Sequence, residues 1–205
     1  MSQPAFTTPI LRLTLIILAG VAILITAWRW RERSGTTGTN HAAVGTPLPE
    51  ITLQPLTGKG GTLSTADLKQ RVALLNFWGT WCPPCRTEFP HLAAIDKEFR
   101  DRPDFLYVSV SCGGSLGPED QADLTAETEE FLSDQQVTHP TWWDPIGQAR
   151  AALARAELFT GYPTTIIVDQ QGVIRGVWQG YHQGDEVRQR ELIKNLLAKQ
   201  SPTAA

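Results

Sequence analysis

Cys82 and Cys85 stand two residues apart in Trp81-Cys82-Pro83-Pro84-Cys85, and thiols at that spacing can either exchange disulfides or hold a soft metal. The pair follows an apolar run, Val72-Ala73-Leu74-Leu75-Asn76-Phe77-Trp78, so it falls where a buried strand gives way to a helix. Prolines suit the first helical positions, because the amide they lack would be unpaired there anyway. Cys85, Phe89, Leu92 and Phe99 then recur at helical spacing, which predicts a helix capped by Cys82 with Cys85 one turn inside. Unpaired amides and the helix dipole at that end stabilise an anion, so Cys82 is expected to be the more acidic, attacking thiol and Cys85 the resolving one. The rival readings are half of a zinc site and an inert pair.

The elements around the pair fit a redox dithiol beside a βαβ pattern. Ile51–Leu53 and Gly61–Leu63 flank a Gly-rich turn and predict a short hairpin; Ser64 with Asp67 three residues on is a capping-box-like start. Phe105–Val110 is a second strand buried on both faces, parallel to the first, and its end would bring Cys112 near the dithiol. Residues 113–127 read as a Gly-rich acidic loop, followed by helices over 128–136 and 146–158 with the segment 139–144 between them. A β-branched strand opens at Pro163, Gln170-Gln171-Gly172 turns it into a partner over 173–178, and Asp185 starts a last helix. The order βα, βα, ββα predicts an α/β fold, an open mixed sheet with helices on both faces.

The chain is 205 residues long with a net charge of −3, which gives no electrostatic case for nucleic acid. Three cysteines are too few for a disulfide scaffold and point to a functional pair with one left over. From Ile10 to Trp28 the only charge is Arg12, and these residues span about 28 Å as a helix, close to the ~30 Å of a hydrocarbon core. No small-residue cleavage pattern closes the segment, so it reads as an uncleaved N-terminal transmembrane anchor over residues 1–33. Residues 34–46 read as a flexible linker, 47–200 as the folded domain and 201–205 as a tail. Arg29, Arg31 and Arg33 follow the segment, and the positive-inside rule alone would keep the domain cytoplasmic. An oxidising compartment is where an anchored dithiol has disulfides to act on, and this favours a single-pass protein of the cell membrane with its catalytic domain on the extracytoplasmic, periplasmic side.

Asn76-Phe77-Trp78-Gly79-Thr80-Trp81-Cys82-Pro83-Pro84-Cys85-Arg86-Thr87-Glu88-Phe89-Pro90 and Gly161-Tyr162-Pro163-Thr164-Thr165 carry a specific resemblance. The chain resembles the membrane-anchored, thioredoxin-like thiol-disulfide oxidoreductases of the TlpA/ResA kind over about residues 45–197. That resemblance implies a cis Pro163 facing the dithiol, and a docking surface for an extended peptide formed by Trp81, Pro83, Pro84, Tyr162 and Pro163. It places Asn76 where a cytosolic thioredoxin has a buried aspartate, and it matches Glu88 to a glutamate beside the site that would accept the proton of Cys85. A solvated charge in the first helical turns is the plain alternative for Glu88. The implied partners are extracytoplasmic protein disulfides, apocytochrome c haem-binding thiols foremost, and a membrane-bound thiol donor; no cofactor is called for.

Cys112 has no counterpart in that pattern and reads either as an unreactive filler or as a third redox thiol. Pro90 is expected to kink its helix. His41, His91, His139 and His182 carry no motif spacing. An oxidase or isomerase would share every motif and differ in potential. A thiol peroxidase of the peroxiredoxin kind would need a proline where Leu75 stands. A metal carrier would draw on Cys82, Cys85, Cys112 and His139, although copper carriers on this fold space their cysteines by three residues.

Overall fold

The structure is a computed structural model that describes residues 14–22, 37–114 and 120–199. The chain divides between residues 36 and 37 into two units. In the first, residues 14–22 are helical, with Leu15, Ile16, Ile17, Leu18 and Val21 exposed. No helix among the described residues is long and apolar enough to cross a membrane. The rest of the expected 10–28 anchor, the arginines after it, linker residues 34–36 and the tail lie outside the described residues.

In the second unit seven strands form one mixed sheet: β1 Thr52–Thr57, β2 Leu63–Ser64, β3 Val72–Trp78, β4 Phe105–Ser111, β5 Thr141–Trp143, β6 Thr164–Val168 and β7 Ile174–Gln179. Their order across the sheet is β2-β1-β5-β4-β3-β6-β7. β3 lies between β4, its parallel neighbour, and β6, its antiparallel one, and every residue of β3 is buried. Both faces of β3 are therefore core. Ala73, Leu75 and Phe77 pack on one side with Leu153 and Leu158, and Val72 and Leu74 on the other with Leu92, Ile95, Ile193 and Leu197. Among its described residues the domain has four helices, α1 Pro83–Phe99, α2 Gln121–Asp134, α3 Gln148–Arg155 and α4 Asp185–Ala198, and these partners come from α1, α3, α4 and, for Leu158, the turn after α3. α1 and α4 cover one face and α3 the other, which is the expected layering. Buried apolar area of this kind is the dominant favourable contribution to folding.

Several expectations shift. The hairpin is no separate preface: β1 pairs antiparallel with β5 and so joins the sheet. After it Ser64 and Asp67 cap only a 3₁₀ turn, Thr65–Leu68, in which the Ser64 N–H and hydroxyl both donate to the Asp67 carboxylate. The second half of the expected loop is helix, because the Asp120 carboxylate accepts from the amides of Ala122 and Asp123 and starts α2 there. The expected 128–136 helix is the later part of α2, and α3 is shorter than 146–158.

The linker assignment is corrected from residue 37 onward, since these residues lie along β7. Gly38 exchanges two backbone hydrogen bonds with Val177, and Gly45 and Thr46 bond to Ile174. β7 is the last strand in the order, and its unpaired amides and carbonyls attract any extended chain within reach. Gly38 fits because its backbone is left-handed (φ 72°) and the Trp178 indole lies against it.

Candidate active site

Cys82 is the N-cap of α1, with Pro83 and Pro84 in the first turn, as the sequence predicted. Its sulfur accepts a hydrogen bond from the Cys85 amide at 3.3 Å, so a helix-terminal N–H points at it. The two cysteines form a disulfide with their Cα atoms 5.3 Å apart, and both are buried. Phe89, Trp78 and Phe131 pack behind the pair, with ring centroids 4.7 to 5.1 Å apart. Rigid aromatic packing of this kind fixes the capped turn against the sheet.

Trp81 is half-exposed beside the disulfide; its indole N–H donates to the Cys112 carbonyl at 3.0 Å and its ring meets Tyr162 edge-on. Only glycine fits at Gly79, because a Cβ there would lie 2.4 Å from the Trp81 indole nitrogen and 2.7 Å from the Cys112 oxygen. Tyr162 packs against the cluster that holds both sulfurs, and the Tyr162–Pro163 bond is cis, as the resemblance implied. The Tyr162 hydroxyl accepts from Arg150 at 2.8 Å, while Arg150 is itself held by Asp144. Burial pushes the Tyr162 phenol up, so it stays neutral.

Cys112 does end up in this neighbourhood, as a buried thiol whose backbone rather than sulfur serves Trp81. Its nearness is set by strand register, since β4 parallels β3 and the Cys112 amide donates to the Trp78 carbonyl.

Glu88 is not a solvated charge. Its carboxylate is 1% exposed, accepting from Asn76 Nδ2 at 3.0 Å on one oxygen and from the Thr165 hydroxyl at 3.0 Å on the other. Asn76 also donates to the Thr165 oxygen at 2.9 Å, closing a triangle across α1, β3 and β6. Asn76 and Thr165 are register partners on antiparallel strands, so the sheet aligns them. Burial pushes the Glu88 acid up to about 7, against the hydrogen bonds that favour its charged form. Asp185 adds a like charge, and Gln189 of α4 also faces the carboxylate. The sequence reading missed Thr165, Asp185 and Gln189 as neighbours of Glu88. The Thr164-Thr165 pair after Pro163 was in view, but no sequence pattern ties α4 to α1.

The metal-carrier set does not assemble: among the described residues no three His, Cys, Asp or Glu side chains are placed to hold an ion. His139 is buried instead against Tyr107, Phe89 and Asp96.

A mixed sheet with a dithiol at the start of a helix and a cis proline beside it defines a thioredoxin-like redox protein. The chain belongs to the AhpC/TSA family, whose profile matches residues 44–177. It is 32% identical over 146 residues to the thioredoxin-like protein YneN of Bacillus subtilis, covering 71% of this chain and 77% of the relative. It is 30% identical to the thiol:disulfide interchange protein DsbE of Pseudomonas aeruginosa, over 81% of each chain. To the thiol-disulfide oxidoreductase ResA of Bacillus subtilis it is 31% identical, over 70% of this chain and 71% of the relative. A solved DsbF homologue from Corynebacterium diphtheriae superposes with a TM-score of 0.59 at 25% identity, over 80% of this chain and 95% of that one. The chain is thus a protein thiol-disulfide oxidoreductase of the DsbE/ResA type.

Proposed function

We propose that this oxidoreductase reduces disulfides of extracytoplasmic proteins, with the haem-binding cysteines of apocytochrome c as the foremost substrate. The observation that carries the chemistry is a disulfide at a helix start with a buried, hydrogen-bonded carboxylic acid one turn beyond it. In the reduced enzyme the Cys82 thiolate attacks one sulfur of the partner disulfide, and the other partner sulfur leaves as a thiolate. Glu88 then takes the proton of Cys85, whose sulfur attacks Cys82; a Cys82–Cys85 bond forms and the second partner sulfur departs. Two electrons have passed to the partner, and a membrane-bound dithiol restores the pair.

Trp81, Pro83, Pro84, Tyr162 and Pro163 form the surface on which an extended peptide docks, supported by the exposed indole and the tyrosine beside it. Cys112 is read as a spacer beneath Trp81, in keeping with its burial. Residues 10–28 anchor the enzyme in the membrane with the folded domain outside the cytoplasm, a reading that rests on their composition.

Trapping tests the substrate. A Cys85→Ala variant expressed in the native host is expected to accumulate a mixed disulfide through Cys82, with a peptide carrying a haem-attachment motif identified by mass spectrometry. Recovery of adducts only with proteins that hold structural disulfides would replace this reading with an oxidase or isomerase.

A further inference from the structure

Gln189 on α4 is fully buried, and neither its side-chain oxygen nor its nitrogen meets a partner at full hydrogen-bond distance and angle, although the amide stands close enough to Glu88 to favour its charged form. Burying both ends of an amide unsatisfied is costly, and a long apolar side chain would pack the same space without that cost. α4 packs on α1 and β3, and there the Gln189 amide faces the Glu88 carboxyl.

The bonds Glu88 already makes are both donated to it, by Asn76 to Oε2 and by Thr165 to Oε1. Thr165 accepts from Asn76 at the same time, so its one hydrogen is committed to the carboxylate. This frame suits the ionised acid. A protonated Glu88 presents an O–H that needs an acceptor, and among these three neighbours the uncommitted one is Gln189 Oε1. A primary amide carries a donor and an acceptor on one planar group, and a half-turn about its last bond exchanges them.

We propose that Gln189 is a positioning residue for Glu88, giving an N–H to the carboxylate and, after a half-turn, its oxygen to the carboxylic acid, so that the acid holds one orientation while it takes the proton of Cys85. The inference rests on the reading of Glu88 as proton acceptor given above. In that step the Cys85 S–H bond breaks and the proton passes to a Glu88 oxygen. The sulfur's electron pair forms the bond to Cys82, and the partner sulfur leaves with the pair of the broken S–S bond.

Among the described residues the other ionisable groups that act on Glu88 are Asp185 of α4, Tyr107 of β4 and Tyr181 ahead of α4. Both phenols are pushed up and stay neutral, and Asp185 is ion-paired with Arg188 with His182 close by. None of these is altered by a change at Gln189.

The test loads Cys82 of the full chain with 5-thio-2-nitrobenzoate and follows its release by Cys85 from about pH 5 to 9, bracketing the acid. Gln189→Met keeps length and volume and removes both polar atoms. Charge-assisted bonds exceed neutral ones, so its loss hurts the carboxylate more and is expected to move the rate midpoint up by about one pH unit. Gln189→Glu keeps an acceptor but adds a second acid, and is expected to move it up as well even if the methionine variant fails to fold. A purely structural role would lower thermal stability and leave the midpoint in place. Midpoints equal to the parent in both variants, with the inflection abolished in Glu88→Gln, overturn the role of Gln189 alone. An inflection that persists unchanged in Glu88→Gln overturns the reading of Glu88 and this inference with it.

Discussion

With Glu88 in the proposed role of proton acceptor for Cys85, it sets the working pH of the site. A base accepts a proton only when ionised, and burial places its titration at about 7, so resolution by Cys85 is expected to accelerate as pH rises through that value. Stopped-flow single turnovers with a disulfide peptide check this. Glu88→Gln keeps the shape of the side chain but can accept from only one of Asn76 and Thr165, which donate to different carboxylate oxygens, and it cannot take a proton. Its single-turnover rate at pH 7 is expected to fall about 10²-fold, the usual worth of a positioned base, and its rise with pH to follow the free thiol near 8.5 instead. Asn76 bears on the same point: an aspartate there would add a like charge 3.0 Å from Glu88, whereas the amide supplies a donor. The acid is thus isolated among neutral donors, with Asp185 as the nearby charge.

At the scale of elements, the two ends of the sheet are closed in different ways. β2 at one end is only two residues long and leaves little edge to pair with. β7 at the other end is six residues long and is covered by residues 38–46, whose backbone bonds satisfy Val177 and Ile174. Deleting the residues before Pro47 is expected to remove those bonds and cost a few kcal/mol, at about 1 kcal/mol each. The truncated chain is also expected to associate through the bared β7. Urea unfolding and size-exclusion chromatography at two concentrations check both effects, and an equally stable, monomeric truncation would show that the segment is dispensable.

For the molecule as a whole, two buried groups pull stability in opposite directions with pH. Glu88 is raised from 4.5 to about 7, so the folded state binds a proton that the unfolded chain has released, and stability falls as pH rises across that range. His139 is lowered from 6.5 to about 4 by burial, so the unfolded chain binds the extra proton and stability falls as pH drops through that window. Each is worth about 3 kcal/mol across its range, at 1.36 kcal/mol per pH unit. Where the windows overlap, between 4.5 and 6.5, folded and unfolded chains hold the same number of protons on this pair. The protein is therefore expected to show a flat stability there in urea titrations. Glu88→Gln is expected to uncover a rise with pH and His139→Gln a fall; parallel profiles in the two variants would remove the argument.

The sequence by itself determined what is local or periodic. The dithiol on a capped turn follows from Cys-Pro-Pro-Cys after an apolar strand, the buried strands from their runs of apolar residues, and the β6–β7 hairpin from Gln170-Gln171-Gly172. Resemblance added the cis proline and singled out Glu88. Only the tertiary structure decided what surrounds that acid, because Asn76, Thr165 and Gln189 come from three elements spread over 114 positions, and sheet register and helix packing bring them together. It also turned the expected linker into the cover of β7, since a polar, Gly-rich stretch carries no side-chain signal for pairing that is made by its backbone alone.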